Sequence, residues 1–184
     1  MNLLEDALRV RAEADCLHDA AAVQRAFDTL AGRIAPVYEG LDPVFMTVMN
    51  GGLYATAEIA RRLPFAFRQD YLQATRYRGA TTGGGLTWKR QPDARALAGQ
   101  HVLVIDDILD EGYTLVAIRH ALEAFKPASL RVAVLARKRH DRCAPGAYAE
   151  FIGLEVEDRY VFGCGMDYKE YWRQLPAIYA VKGS

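Results

Sequence analysis

The sequence predicts an α/β protein: a mainly parallel, twisted sheet with helices on both faces. Three observations carry this reading. Short apolar runs, "VFMTVM" at 44–49, "VLVI" at 102–105 and "LRVAVLA" at 130–136, look like strands buried on both sides. Between them lie stretches whose apolar residues recur at helical spacing. Strands and helices therefore alternate, and a helix is the usual crossover between parallel strands. A chain of 184 residues, 51% hydrophobic and 25% charged, suits one domain spanning 1–184.

Along the chain, "AAVQRAFDTLAGRIAPVY" sets Val23, Phe27, Leu30 and Ile34 on one helical face, predicting a helix over 19–38. Asp42-Pro43 breaks it. The strand at 44–49 runs into "NGG" at 50–52 and then "LYATAEIARRL", a helix stopped by Pro64. "FAFRQDYLQATRY" at 65–77 has the aromatic content and partial alternation of strands. The polar stretch at 78–100, with Gly83, Gly84 and Gly85, reads as a long hairpin or a mobile flap. After "VLVI" and its acids, Leu115, Ile118, Leu122 and Phe125 share a helical face. "KPAS" turns into the strand at 130–136, and "YVFGCGMD" at 160–167 reads as a last buried strand ending in an acid.

Charge and thiols narrow the class. Lys+Arg and Asp+Glu both total 23, so the formal net charge is zero, against a protein living on phosphate attraction to nucleic acid. No apolar run approaches the ~20 residues of a membrane span. The opening "MNLLEDALRVRAEADCLHDA" is too acidic for a secretory signal. Cys16, Cys143 and Cys164 are scattered and odd in number, which fits reduced thiols in the cytoplasm. The four histidines share no zinc-ligand spacing with them.

"HVLVIDDILDEGYTL" at 101–115 carries the chemistry. Asp106 and Asp107 stand at the carboxyl end of a strand, where open α/β sheets hold ligands. Glu111, Gly112, Tyr113 and Thr114 lead into a helix, whose leading N–H groups attract phosphate. Carboxylates that accept ribose hydroxyls beside donors for a phosphate make a sugar-phosphate site. A helix cap accounts for Asp110 or Glu111 but not for two more acids on the strand itself.

These residues resemble the phosphoribosyl-pyrophosphate motif of type I phosphoribosyltransferases. "MNGG" sits at that family's pyrophosphate loop and "RYRGATTGGGLTWKR" at its mobile loop. "ARKRH" and "DRYVFGCGMDYKEYWR" are similar to the purine end of its hypoxanthine-guanine subgroup. The resemblance implies that fold, with a core over about 40–140 and a small hood from about 1–20 and 150–184. It implies a purine-salvage transferase that converts hypoxanthine or guanine and phosphoribosyl pyrophosphate to IMP or GMP. It also implies magnesium, and a homodimer or homotetramer without nucleic acid or membrane.

By the same resemblance, Asp110 is the acid/base at the imidazole edge of the purine. Asp106 and Asp107 hold the ribose, partly through magnesium, and Asp167 holds a second magnesium. The loop 111–114 cradles the 5′-phosphate. Asn50, Gly51, Gly52 and Arg173 meet pyrophosphate, and a strained or cis peptide is implied near Asn50. Tyr77 and the 83–85 loop close the site. Lys138 donates to the exocyclic oxygen of a 6-oxopurine, Tyr160 stacks on the base, and Val161 offers backbone groups to its edge. Plainer readings stand beside these: core packing for Tyr160, a turn acid for Asp167, a surface arginine for Arg173 and a solvated basic turn for 137–142.

The chain departs from the family at Asn50, often Lys; at Arg76, often Ser; and at Glu111, often Thr or Ser. Glu111 puts an anion beside a phosphate, so its side chain has to point away. The remaining alternatives are a xanthine-preferring transferase and a nucleotide-sensing regulator on the same fold. A signalling receiver domain also ends a strand in paired acids, but too few residues follow Asp107 for its distant lysine.

Overall fold

The computed structural model describes residues 2–76 and 86–184, and within them the predicted architecture is present. In chain order the elements are α1 (Leu3–Glu13), β1 (Asp15–His18), α2 (Ala20–Tyr38), β2 (Val44–Val48), α3 (Gly52–Ala60), β3 (Arg68–Arg76) and β4 (Leu86–Arg90), then α4 (Ala94–Leu97), β5 (His101–Leu109), α5 (Tyr113–Glu123), β6 (Ser129–Lys138), β7 (Phe151–Val156), β8 (Val161–Phe162) and β9 (Ile178–Ala180). Six strands form the main sheet in the order β4-β3-β2-β5-β6-β7. All its pairings are parallel except β3 with β4.

Both faces of this sheet are covered, which is why its central strands are apolar without a break. Phe45, Leu103, Ile105, Ala133 and Leu135 face one way and pack with Val23, Phe27, Leu30 and Ile34 of α2 and with Ala55 and Ile59 of α3. Val44, Met46, Val102, Val104, Val132 and Val134 face the other way, against Leu115, Ile118 and Leu122 of α5 and Leu97 of α4. The alternation along each strand assigns its side chains to the two layers. Asp19 caps α2 by accepting the N–H of Ala22 at 2.7 Å.

A second sheet, β1-β9-β8, is antiparallel and joins the two ends of the chain. Val161, Cys164, Met166, Ile178 and Ala180 extend the core on the α2 side of the main sheet. The helix α1 is tied to the loop 168–172 by three contacts. Asp6 accepts from the Tyr168 hydroxyl at 2.9 Å and from the Lys169 ammonium at 2.8 Å, and the Trp172 indole donates to the Ala7 carbonyl at 2.8 Å.

Several elements differ from the sequence reading. The strand expected over 65–77 begins only at Arg68, because Phe65 and Phe67 turn in to pack on Phe45; the Phe45 and Phe67 rings stack at 4.4 Å. The strand expected over 130–136 runs to Lys138, since Arg137 and Lys138 still pair with Glu155 and Val156. The strand expected over 160–167 is only Val161–Phe162, and it belongs to the second sheet. Gly163, Cys164 and Gly165 all take positive φ and turn the chain there. α1, β1, β7 and β9 were not anticipated, nor was α4, which lies in the stretch 78–100 read as a hairpin or flap. Among the described residues, no helix is long and apolar enough to cross a membrane.

Candidate active site

The carboxyl ends of β2, β5 and β6 converge on one side of the sheet, and the loop 163–167 closes over them. A pocket of about 280 Å³ is lined there by Asp107, Asp110, Lys138, Tyr160, Val161 and Asp167, joined by Ile108 and Met166. Six residues chosen from sequence thus share one cavity, near the lower end of ligand-sized pockets of roughly 300–1,000 Å³.

Packing around the paired acids leaves no room for a Cβ at three glycines. At Gly51 it would collide with the Asp107 carboxylate, and at Gly52 with the Ile105 carbonyl. Gly165, at φ +104°, would meet the Gly51 carbonyl. The Met49–Asn50 peptide in this loop is cis. The turn after β2 therefore meets both the end of β5 and the loop 163–167 backbone to backbone. Gly165 was not singled out from sequence.

Burial makes the charges of both Asp106 and Asp107 expensive. Burial, followed by the neighbouring Asp107 carboxylate, pushes Asp106 well above the usual carboxylate range. Burial also raises Asp107. Each Oδ1 accepts the next backbone N–H, from Asp107 at 2.9 Å and from Ile108 at 2.7 Å.

Asp110 is held on both oxygens. Lys138 Nζ lies 2.6 Å from Oδ2, and His140 Nε2 lies 2.8 Å from Oδ1. Burial acts to raise the Asp110 pKa, but the hydrogen bonds from Lys138 and His140 outweigh it and hold it below the ordinary value. The His140 side chain is 2% exposed. Sequence reasoning missed this residue, since a histidine within "RKRHDR" gives no sign of burial. Asp110, His140 and Asp158 bring ligand atoms within 4.8 Å of one another. Both carboxylates already carry cationic side chains, Lys138 on Asp110 and Arg142 on Asp158, so the cluster is an ion-pair net.

Asp167 is similarly engaged. Its Oδ1 meets Arg173 at 2.5 Å and its Oδ2 accepts the Glu170 N–H at 2.7 Å. Arg173 also donates to the Gly165 carbonyl at 2.7 Å. At the start of α5, Gly112 adopts φ +79° and supplies no side-chain cap. A Cβ there would reach Ala147 Cβ at 2.5 Å and Leu109 Cδ1 at 2.9 Å. The Glu111 carboxylate lies 3.9 Å from the Arg142 guanidinium, so a cation outside the loop 111–114 accompanies it. Tyr160 is exposed, edge-on to Tyr168 at 5.5 Å. Tyr77 and the 83–85 loop lie outside the described residues.

Residues 13–170 match the model of the phosphoribosyl transferase domain family. The chain is 32% identical over 168 residues to a hypoxanthine-guanine-xanthine phosphoribosyltransferase from Tritrichomonas foetus, covering 91% of each. It is 28% identical to a hypoxanthine-guanine phosphoribosyltransferase from Streptococcus pneumoniae, over 87% of this chain and 88% of that one. A solved hypoxanthine phosphoribosyltransferase from Trypanosoma cruzi, in complex with the product IMP, superposes with a TM-score of 0.84. Their identity is 27%, over 93% of this chain and 96% of that one.

Proposed function

The chain belongs to the phosphoribosyl transferase domain family, and we propose that it is a purine-salvage enzyme converting hypoxanthine or guanine and phosphoribosyl pyrophosphate to IMP or GMP and pyrophosphate. One observation carries this reading: the Lys138–Asp110 pair and Tyr160 line one pocket. A 6-oxopurine presents an acceptor oxygen, a ring N–H and a flat π-face, and these three groups answer them in turn.

When the base enters, the Lys138 ammonium leaves Asp110 for the exocyclic oxygen. Asp110 Oδ2 is then open to take the proton from the ring nitrogen that attacks the sugar. Adenine offers a donor at the exocyclic position, so a half-buried ammonium would lose an acceptor. Tyr160 covers the ring face, and Val161 offers its backbone to the edge.

Asp106 and Asp107 receive the ribose hydroxyls, where positive charge develops as the anomeric bond breaks. The backbone of 111–114 holds the 5′-phosphate, with Glu111 directed towards Arg142. Backbone N–H groups at Asn50, Gly51 and Gly52 face the pyrophosphate. Arg173 meets it by exchanging Asp167 for a phosphate oxygen.

Magnesium fits the paired acids on their own chemistry, being a hard cation for two oxygen donors whose buried charges are both costly. Bound there, it would neutralise the pyrophosphate leaving group. Asp167 fits only once Arg173 has moved off it. α1 and the β1-β9-β8 sheet form the hood over a core near 40–140. On the same reading the protein is a cytoplasmic homodimer or homotetramer. Free thiols at Cys16 and Cys143 suit a reducing compartment. Exposed Leu3, Leu4 and Leu8 on α1 give a second copy something to cover.

The test follows nucleotide formation from adenine, guanine, hypoxanthine and xanthine, each with phosphoribosyl pyrophosphate and magnesium. IMP and GMP are the expected products. AMP as the main product, or no nucleotide from any base, would overturn the assignment. Xanthine is included because a relative 32% identical is named for it.

A further inference from the structure

His140 is a buried ring whose two nitrogens are both committed. Nδ1 lies 3.1 Å from the backbone nitrogen of Arg142, which can only donate. Nδ1 therefore accepts, and the hydrogen-bond network assigns the ring proton to Nε2. That Nε2–H points at Asp110 Oδ1, 2.8 Å away.

The ring is anchored from behind. Arg142 forms a two-pronged ion pair with Asp158, at 2.6 and 2.8 Å. Asp158 lies two residues before Tyr160, so this pair ties the loop after β6 to the segment that carries Tyr160. Around the His140–Asp110 contact the charged groups are Lys138, Arg142 and Asp158, with Glu111 on the far side of Arg142.

We propose that His140 is the positioning residue for Asp110, gripping Oδ1 through Nε2–H so that Oδ2 alone is exchanged between Lys138 and the incoming base. This rests on the function proposed above. Once Lys138 turns to the exocyclic oxygen, a carboxylate held by nothing else could rotate about χ2 and lose its aim. His140 stays bonded to the other oxygen throughout, and the backbone N–H of Arg142 keeps its tautomer fixed. The contact is a second support on the same carboxylate, acting at the moment the first departs. A displacement of about 1 Å at a reacting group can cost on the order of a hundredfold in rate.

Two variants and one spectrum test this. His140→Phe keeps the ring volume and removes the donor. His140→Gln returns an amide N–H near the position of Nε2. With hypoxanthine as base, His140→Phe should lose about 10–100-fold in kcat, with KM for phosphoribosyl pyrophosphate within about twofold of wild type. His140→Gln should recover to within about threefold. A His140→Phe enzyme with wild-type kcat, or a His140→Gln enzyme as slow as the Phe variant, would overturn the proposal. If the Phe variant does not fold, the ¹⁵N spectrum of wild type decides: a protonated Nε2 with a bare Nδ1 is expected, and a protonated Nδ1 sinks the idea. Wild type that makes no nucleotide from any base would remove the proposed function, while the spectrum would still report the His140–Asp110 contact.

Discussion

Lys138 and Asp110 form a 2.6 Å ion pair inside the pocket, between the end of β6 and the loop after β5. The Lys138 side chain is 12% exposed and that of Asp110 is 42% exposed. A lysine this enclosed needs an acceptor at every stage. A base that supplies one lets the pair open; a base that supplies a donor leaves the charge stranded. Lys138→Ala should therefore lower the preference for hypoxanthine over adenine by about 10–100-fold, the worth of one charge-assisted hydrogen bond. The measurement is the ratio of kcat/KM for the two bases, and a ratio equal to wild type would remove Lys138 from selectivity.

Asp110 itself should be indispensable to turnover but not to the fold. Asp110→Ala should lower kcat by about 10²–10⁴-fold. The variant should still melt cooperatively, since the half-exposed carboxyl is not part of the apolar core.

The pH profile follows from the same pair. A general base works only when ionised, so a pKa held below the ordinary carboxylate range keeps the rate up to lower pH. Burial alone would raise Asp110, and the bonds from Lys138 and His140 outweigh it. Removing Lys138 leaves the burial in place, so the acid limb of kcat/KM should move to higher pH in Lys138→Ala. A limb that stays put, or moves to lower pH, would show that the pair does not set the Asp110 titration.

What could be read in advance was whatever rested on local pattern. The apolar runs of β2, β5 and β6 announced a sheet covered on both faces, and Asp106 and Asp107 stood out because buried strands rarely end in acids, whereas Asp110, which a helix cap would explain, took its role from resemblance. Lys138 was identified only through resemblance, for its burial depends on the pairing of β6 with β7. His140 sits in a basic run that reads as solvated turn, and only the folding of 139–143 over Asp110 buries it. α1 went unseen because its largest apolar residues, Leu3, Leu4 and Leu8, are exposed while its buried face is made of Asp6, Ala7 and Val10, so apolar spacing does not mark the packed side. β7 carries Gly153 at its centre, where a Cβ would reach the Leu135 carbonyl at 2.7 Å. Such a glycine weakens any local strand signal while serving a tertiary contact. β1, β8 and β9 are two to four residues long, and β1 pairs with β9 across the length of the chain.

The glycine contacts make a stability prediction with an internal control. Gly165→Ala places a Cβ against the Gly51 carbonyl at a backbone angle that side chains rarely adopt. It should destabilise by about 1–3 kcal/mol. Gly32 lies in α2 with open space where its Cβ would be, so Gly32→Ala should stabilise by about 0.5–1 kcal/mol through helix propensity. Denaturant melts of the two variants should move in opposite directions. A Gly165→Ala midpoint equal to wild type would show that the loop 163–166 yields freely.

Asp106 supplies a prediction in which stability and function part company. Its folded pKa is raised well above the unfolded value, so the folded state binds the proton more tightly than the unfolded chain does. The Asp106 contribution to stability is then greatest at acid pH and falls as pH climbs from the ordinary carboxylate range through the raised value, opposite in sign to that of carboxylates held low by ion pairs, such as Asp6 and Asp158. As pH rises through that value the free protein bears the cost of burying the Asp106 charge, increased by the neighbouring Asp107 carboxylate. Asp106→Asn removes one charge and keeps an oxygen for the Asp107 N–H that Oδ1 now accepts. Without ligand, Tm should rise by about 2–4 °C, the shift that about 1 kcal/mol gives in a chain of this size. Magnesium with phosphoribosyl pyrophosphate should raise the wild-type Tm, because a ligand that binds only the folded state stabilises it, and should leave the variant nearly unmoved. If Asp106→Asn melts at or below wild type, the acidic pair is no burden on the free fold. If the variant still gains the full ligand shift, the sugar-phosphate site lies elsewhere.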